Sequence, residues 1–300
     1  MSLSSFLTNI YLRYRFKPAP GAAIDVAKVR DKINRMLRYQ GRLPADMVFT
    51  PVAASDGLCA AAWFQPVQLA QNNKTILYFH GGGYFFCSID SHKPLCTYLS
   101  RAAQAKICSV DYRLAPEHAY PAAVDDALAW YQELLKTTPA SKIIVAGDSA
   151  GGGLAMACLL ASRKAGLPMP AAAILFSPWV DLACEGASMQ TLAHADVMFT
   201  PDSLPKAAAM YLQGTPTKTA LASPLYADLQ GLPPLQIFAS RHEVLLDDAT
   251  RLHQAALDAG VNSTLVLENN LPHVWPTMVN LPEARTSLRQ AAEFIARNSQ

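Results

Sequence analysis

Strand-like and helix-like hydrophobic patterns alternate along most of the chain. Six continuous apolar runs of strand length are separated, in most cases, by longer runs with helical spacing, such as PAAVDDALAWYQELLK and DDATRLHQAALDAG. The strand runs are TILYFH, KICSVDY, KIIVAG, AAAILFS, LQIFAS and STLVLE. Continuous apolar strands between amphipathic helices predict an α/β fold, in which a mostly parallel sheet is covered by helices on both faces.

The region before these strands contains a helical pattern and a hairpin pattern. Residues 24–40 carry one apolar stripe at helical spacing, and Gly41 and Pro44 end the pattern. The stripe consists of Val26, Val29, Ile33, Met36 and Leu37, and Lys28, Lys32, Arg35 and Arg38 lie opposite. MVFTPVAA and LCAAAWFQ then predict two strands that are joined around Asp56-Gly57, which is a hairpin turn signal.

One long insertion interrupts the alternation. It spans residues 182–224, between two strand runs, and contains the helical pattern TPDSLPKAAAMYLQ. Long insertions in compact domains are usually functional. We therefore expect residues 1–44 and 182–224 to form a two-part helical cap over a catalytic domain that consists of residues 45–181 and 225–300.

Composition and charge narrow the class of protein. The 300 residues are 51% hydrophobic and 16% charged, which is typical of a globular chain, and the net charge of +2 does not suggest a nucleic-acid partner. Nine of the 25 Lys and Arg residues lie in residues 1–44, against two acidic residues there. No apolar stretch is long enough for a membrane span, and no signal-peptide pattern is present. The six cysteines form no CxxC pair, so we expect free thiols and a cytoplasmic location, with a disulfide-containing secreted protein as the alternative.

The strongest chemical signal is the segment KIIVAGDSAGGGLAMACLLASRKAG. An apolar strand leads into Gly147-Asp148-Ser149-Ala150-Gly151, and an Ala-rich helix follows, which is the context that a G-x-S-x-G nucleophile motif requires. Glycine at both flanking positions relieves crowding at such a tight turn. The amides at the start of the helix favour developing negative charge. Ser149 is therefore the candidate nucleophile, whereas an ordinary glycine-rich helix start is the alternative.

A second glycine-rich segment, ILYFHGGGYFF, follows an apolar strand. Gly81, Gly82 and Gly83 can direct backbone N–H groups into a pocket without obstruction by side chains. Together with the amide of Ala150, such donors could hold the oxyanion of a tetrahedral intermediate. A flexible loop is the alternative reading, and the spacing does not match a phosphate-binding loop.

Five motifs in this order resemble those of the hormone-sensitive-lipase-like esterases, the bacterial family IV carboxylesterases of the α/β-hydrolase superfamily. They are HGGGY, DYRLAPEHAYPAAVDDA, GDSAGGG, SPWVDL and EVLLDDA, and the resemblance covers roughly residues 45–300. It implies an α/β-hydrolase fold with a sheet of eight strands and a helical cap. It also implies hydrolysis of small-molecule, usually short-chain, esters without a cofactor or metal, and it is compatible with a homodimer. By this resemblance, Gly82, Gly83 and Ala150 are the oxyanion donors, and Gly81 helps to shape the loop.

The base and the acid follow from chain order, which is Ser, then Asp or Glu, then His. His273, in LPHVWP, is the candidate base. Glu243, Asp247 and Asp181 all satisfy the order. Glu243 comes just after the strand LQIFAS, whereas Asp247 lies where a helix has begun and suits a helix cap. We therefore place the acid at Glu243, although many family members have Asp there.

The remaining polar residues of these motifs are expected to be structural. Arg113 and Glu117 are expected to form an ion pair that fixes a loop, His80 to hold the glycine loop in shape, and Asp148 to belong to the scaffold. Cys87 stands where the family often has Gly, and Tyr84 to Cys87 are expected to crowd the pocket.

Two other functional classes remain open. An amidase or acyltransferase could use the same triad, because the acyl-enzyme chemistry is shared. A non-catalytic ligand-binding homologue is the third hypothesis, since plant gibberellin receptors resemble this family and have lost catalysis. In those receptors the histidine is replaced, so the presence of His273 favours an enzyme.

Overall fold

The computed structural model describes residues 1–37, 41–69 and 74–299, and within these ranges eight strands form one sheet. The strands are β1 (Met47–Val52), β2 (Ala61–Pro66), β3 (Thr75–Phe79), β4 (Lys106–Val110), β5 (Ile143–Asp148), β6 (Ala172–Phe176), β7 (Leu235–Ser240) and β8 (Ser263–Glu268). The helices are α1 (Leu3–Arg15), α2 (Val26–Leu37), α3 (Ile89–Ala103), α4 (Ala122–Leu135), α5 (Ala150–Lys164), α6 (Ser188–Thr191), α7 (Ser203–Leu212), α8 (Leu246–Asp258) and α9 (Pro282–Asn298). Short 3₁₀ turns lie at Ala140–Lys142, Pro224–Tyr226 and Trp275–Thr277.

The sheet is mostly parallel, as the sequence predicted. Its strand order is β1-β2-β4-β3-β5-β6-β7-β8; β2 pairs antiparallel with β1 and β4, and every later pair is parallel. Strand β3 has parallel neighbours on both sides, so the chain changes direction across the sheet at this strand. Ligands bind outside the carboxyl ends of parallel strands at such a switch point.

Helices cover both faces of the sheet, and the alternation along each strand separates two cores. On β3, Leu77 and Phe79 belong to the core that is shared with α4, α5 and α8, whereas Ile76 and Tyr78 belong to the core under α3 and α9. Strand side chains alternate between faces. The central strands are buried on both faces, which explains why they are continuous apolar runs rather than alternating ones.

The N-terminal region has one expected helix and one that the sequence analysis did not predict. The pattern predicted a helix over residues 24–40, and α2 covers Val26–Leu37 of it; residues 38–40 lie outside the described part of the chain. Helix α1 was not predicted. None of the helices in the described ranges combines the length and the apolar character needed to traverse a bilayer.

Candidate active site

Ser149 lies on a sharp turn between β5 and α5, at the carboxyl edge of the sheet. Its backbone has φ 52° and ψ −122°, a conformation that residues other than glycine rarely adopt. The flanking glycines make the turn possible: a Cβ on Gly147 would collide with the carbonyl of Gly151, and a Cβ on Gly151 with the carbonyl of Phe79. The Ser149 amide donates to the carbonyl of Phe176 at the end of β6, 2.9 Å away. The turn therefore packs closely against the end of β3 and is hydrogen-bonded to the end of β6.

Three predicted residues, each from the loop after a different strand, meet at this edge. The Nε2 atom of His273 lies 2.9 Å from the Oγ of Ser149, and its Nδ1 lies 2.5 Å from Oε2 of Glu243. All three side chains are buried, and Glu243 is fully so. With a proton on Nδ1 donated to Glu243, Nε2 is free to accept the hydroxyl proton of Ser149. The three side chains form one continuous chain of hydrogen bonds.

Ser177, a residue that the sequence analysis did not identify, connects Glu243 to the loop of His273 by hydrogen bonds. Its Oγ donates to Oε1 of Glu243 at 2.9 Å and accepts the amide of Val274 at 3.1 Å. The amide of Ser240 donates to the same Glu243 oxygen at 2.7 Å. One carboxylate oxygen is thus held by the strand ends, which leaves the other for His273. Ser177 opens the motif SPWVDL, but its role depends on contacts that are distant in sequence.

The other candidate acids have different partners. Asp247 accepts the amide of Ser188, so it binds the first residue of α6 rather than capping α8 as expected. Asp181 pairs with Arg251 at 2.7 Å. Asp248 is buried and accepts the amide of Asp181, and its burial raises its pKa well above the ordinary value. None of these three carboxylates is hydrogen-bonded to a histidine within the described ranges.

The glycine loop after β3 presents backbone amides beside Ser149. Gly82 and Gly83 have φ values of 116° and 58°, which favour glycine, and both residues line the cavity in front of Ser149. The amides of Gly82, Gly83 and Ala150 have no hydrogen-bond partner among the described residues. The amide of Gly81 instead donates to Oδ1 of Asp148 at 3.0 Å, so Gly81 contributes to the shape of the loop. The amides of Gly82, Gly83 and Ala150 are therefore available to a ligand beside Ser149.

Asp148 anchors this loop from below. It accepts the hydroxyl of Tyr78 at 2.7 Å, and its Oδ1 lies 3.0 Å from Nε2 of His92. Burial acts to raise the pKa of Asp148, but the neighbouring His92 and the hydrogen bonds to the carboxylate outweigh it and lower the pKa overall. His80 stacks on Tyr112, and burial lowers the pKa of His80 to about 4, so the ring is neutral near pH 7. Its Nδ1 can then donate to the carbonyl of Gly81, 2.8 Å away.

A cavity of about 660 Å³ opens in front of Ser149. Its floor contains Ser149, His273 and the glycine loop, and its walls come largely from residues 16–37 and from the region 198–207. The apolar stripe of α2 faces this space through Val29, Ile33, Met36 and Leu37. Phe85, Phe86 and Cys87 also line it, whereas Tyr84 is buried in the core, where it stacks on Tyr211 at 3.9 Å. The space is therefore mainly apolar and lies under both of the segments that we expected to form a cap.

Comparison with known proteins places this site in a family. A family model described as alpha/beta hydrolase fold matches residues 76–277. The chain belongs to the α/β-hydrolase family. An acetyl-hydrolase of Streptomyces hygroscopicus is 45% identical over 88% of this chain and 87% of its own length. Carboxylesterase NlhH of Mycobacterium tuberculosis is 33% identical over 84% of this chain and 82% of its own.

Solved structures agree with this placement. A crystal structure of an esterase from the bacterial hormone-sensitive lipase family has a TM-score of 0.93 to this chain, with 36% identity over 100% of this chain and 99% of that one. A crystal structure of EstE5 that was soaked with p-nitrophenyl butyrate has a TM-score of 0.92 and 39% identity over 99% of both chains. The resemblance to hormone-sensitive-lipase-like esterases is confirmed, and the protein is an esterase of that group.

One expected contact in the esterase is wrong. Arg113 does not pair with Glu117; it pairs with Asp126, at 2.8 Å. Glu117 instead binds Arg30 of α2, at 2.7 Å, and hydrogen bonds from Arg30 lower the pKa of Glu117 to about 2. The same guanidinium donates to the carbonyl of Phe85 at 2.8 Å. Arg30 thus attaches α2 to the glycine loop that follows β3 and to the segment around Glu117, and both partners lie far away in the sequence.

Replacing Arg30 by Ala is expected to lower kcat/KM of the esterase about tenfold, mainly through KM. The substitution removes the hydrogen bonds that hold α2 over the cavity, and these bonds are partly exposed to solvent. A tenfold change corresponds to about 1.4 kcal/mol in the free energy of substrate binding. Steady-state kinetics with a soluble ester is the measurement. Arg35→Ala is the control, since Arg35 lies on the same helix and pairs only with Asp31 among the described residues. Equal kinetics for Arg30→Ala and wild type would show that α2 needs no such attachment.

Proposed function

We propose that this esterase hydrolyses short-chain carboxylic esters through a Ser149–His273–Glu243 triad and an acyl-enzyme intermediate. The observation that carries the proposal is the unbroken relay from Glu243 through His273 to Ser149, at 2.5 Å and 2.9 Å, beneath an apolar cavity. Serine alone is a weak nucleophile and needs an adjacent base that is itself oriented.

In the first half-reaction, the Oγ of Ser149 attacks the ester carbonyl carbon, while its proton passes to Nε2 of His273. The carbonyl oxygen becomes an oxyanion, for which the amides of Gly82, Gly83 and Ala150 are the available donors. Glu243 stabilises the imidazolium without taking its proton. The bond from carbon to the alkoxy oxygen then breaks, and the leaving alcohol takes the proton from Nε2.

In the second half-reaction, water attacks the acyl carbon and gives its proton to His273. The second tetrahedral intermediate uses the same amides. When it collapses, the bond to Oγ breaks, and Nε2 returns the proton to Ser149. The carboxylic acid leaves, and Ser149, His273 and Glu243 are again in their starting protonation states. No metal is needed for any of these steps, because the base and the oxyanion donors come from the chain itself.

Matched substrates separate the ester hydrolase from the amidase reading. p-Nitrophenyl butyrate and butyryl p-nitroanilide differ only at the scissile bond, and both release a chromophore. The proposal predicts that kcat/KM is at least about 10³-fold higher for the ester, because an anilide demands stronger protonation of its leaving group. Comparable values would favour the amidase. Faster product formation with added short alcohols, with the acyl group recovered as a new ester, would favour an acyltransferase.

Acyl chains of roughly two to six carbons are expected to be preferred. Phe85, Phe86 and Cys87 narrow the cavity beside the glycine loop. Two of the similar proteins support the same preference. One is called an acetyl-hydrolase, and crystals of the other, EstE5, were soaked with a butyrate ester. The measurement is kcat/KM across p-nitrophenyl esters of increasing length.

Cys87→Gly provides a second test of the chain-length proposal. Cys87 has φ 69°, a conformation that glycine adopts without strain, so the substitution removes bulk and keeps the backbone. The optimum should move to longer chains. A wild-type enzyme that prefers the dodecanoyl ester to the butanoyl ester would refute the short-chain proposal.

A further inference from the structure

Helix α1 exposes its apolar face to solvent and turns its polar face towards the protein, whereas an ordinary surface helix does the reverse. Most of its apolar side chains are exposed: Leu3 is 74% exposed, Leu7 56% and Tyr14 78%. At 100° per residue, the whole stripe spans an arc of about 140° on one side of the helix. The exposed stripe consists of Leu3, Phe6, Leu7, Ile10, Tyr11 and Tyr14.

The inner face of α1 is held mainly by polar contacts. The hydroxyl of Ser5 donates to Glu283 at the start of α9 at 2.8 Å, as does that of Ser2 at 3.0 Å. Asn9 donates to the carbonyl of Asn270 at 2.8 Å. Leu12 is the one apolar side chain of the helix that is buried. The polar side of α1 therefore fixes its orientation, and the apolar stripe is left for a partner outside the protein.

Positive charge surrounds this stripe. Residues 1–24 contain no Asp or Glu, and at helical spacing Arg13 and Arg15 lie on opposite margins of the stripe. Arg13 donates to the carbonyls of His194 and Ala195, and Lys32 donates to the carbonyl of Arg15. These contacts use backbone oxygens, and no carboxylate of the described ranges forms an ion pair with Arg13, Arg15 or Lys32.

The stripe also leads to the cavity. Phe16 and Pro18, which follow α1 directly, line the space in front of Ser149, and so do Ala22, Ala23 and Ile24. A surface that binds α1 would consequently lie close to the opening through which an acyl chain reaches the serine.

We propose that α1 docks the esterase on an anionic lipid surface, with its apolar stripe in the interface and its basic margins on the headgroups. An exposed apolar face with aromatic residues and flanking basic residues is what an interfacial helix requires. Each nearby basic residue adds attraction to anionic lipid. A second copy of the chain is a poorer occupant, because pairing two stripes would bring two sets of unneutralised arginines together. The cavity would then take amphiphilic esters that are concentrated at that surface.

Vesicle co-sedimentation tests the proposal. The full chain is mixed with vesicles of phosphatidylcholine alone or with added phosphatidylglycerol. We expect binding to the anionic vesicles, release by high salt, and at least tenfold weaker binding by a Leu7→Ser/Tyr14→Ser variant. A Val67→Ser/Leu257→Ser variant is the control, since both side chains are exposed but lie outside α1. The stripe variant and the control variant should both hydrolyse dissolved p-nitrophenyl acetate like the wild type.

Docking and catalysis can fail separately. Ser149→Ala should bind vesicles as the wild type does, so loss of the proposed triad chemistry leaves the docking result intact. Equal binding by the stripe variant and the control variant would overturn the docking proposal, and so would failure to bind anionic vesicles. A dimer in light scattering that dissociates on Leu7→Ser/Tyr14→Ser, without vesicle binding, would assign the stripe to a second copy of the chain.

Discussion

Ser149→Ala is expected to lower kcat by several orders of magnitude, on the order of 10⁶-fold by the precedent of other serine hydrolases. The loss is large because the triad works as a unit: without Oγ there is no atom for His273 to activate and no acyl-enzyme. The fold should be unchanged, since the Oγ of Ser149 forms a hydrogen bond only with His273 among the described residues. Steady-state kinetics and a thermal melt measure the two effects.

A buried serine of α5, the helix that follows Ser149, is a matched control for this variant. Ser162 of α5 is 1% exposed and lies more than three turns from Ser149 along α5, outside the residues that line the cavity. Ser162→Ala should retain nearly full activity. If Ser149→Ala kept more than a few per cent of wild-type activity, the nucleophile would have to be another residue.

Glu243→Gln is expected to lower kcat by about 10³- to 10⁴-fold. The glutamine can present an N–H to Nδ1 of His273 where the carboxylate accepted one, which favours the wrong tautomer and removes the charge that stabilises the imidazolium. The bonds from Ser177 and Ser240 to the other oxygen can persist, so the loop should keep its place. Substrate binding should change little, and the loss should appear in kcat.

Asp247→Asn is the matched comparison for Glu243→Gln. Asp247 lies four residues further on and satisfies the same chain order, but it binds the amide of Ser188. We expect nearly normal kcat and a loss of about 1 kcal/mol in the free energy of unfolding, from a weakened charge-assisted hydrogen bond. An inactive Asp247→Asn beside an active Glu243→Gln would move the acid to Asp247.

The parts of this structure that the sequence predicted are those with a local signal. Continuous apolar strands between amphipathic helices predicted the sheet and both helical layers, because burial on two faces leaves no room for polar alternation. The elbow at Ser149 was predictable because its strained turn requires glycine at two fixed neighbours. The placement of Glu243 followed from its position just after β7, where a carboxylate can reach the next loop.

The parts that the sequence did not reveal depend on long-range contacts. Arg30 and Glu117 are distant in sequence, and either could have paired with nearer charges. Ser177 holds both Glu243 and the loop of His273, but nothing in its neighbours distinguishes it from an ordinary loop serine. Helix α1 was missed because its outward apolar stripe and inward polar contacts reverse the usual pattern. The two-part cap, 1–44 with 182–224, stays a prediction.

The most direct test of the triad is to trap the acyl-enzyme. Rapid acid quenching of the wild type during turnover of p-nitrophenyl butyrate, followed by peptide mass spectrometry, should locate one butyryl group on Ser149. Its formation should coincide with a burst of p-nitrophenol, and Glu243→Gln should form it much more slowly. A butyryl group on another residue, or turnover in which the acylated peptide never forms, would contradict the account.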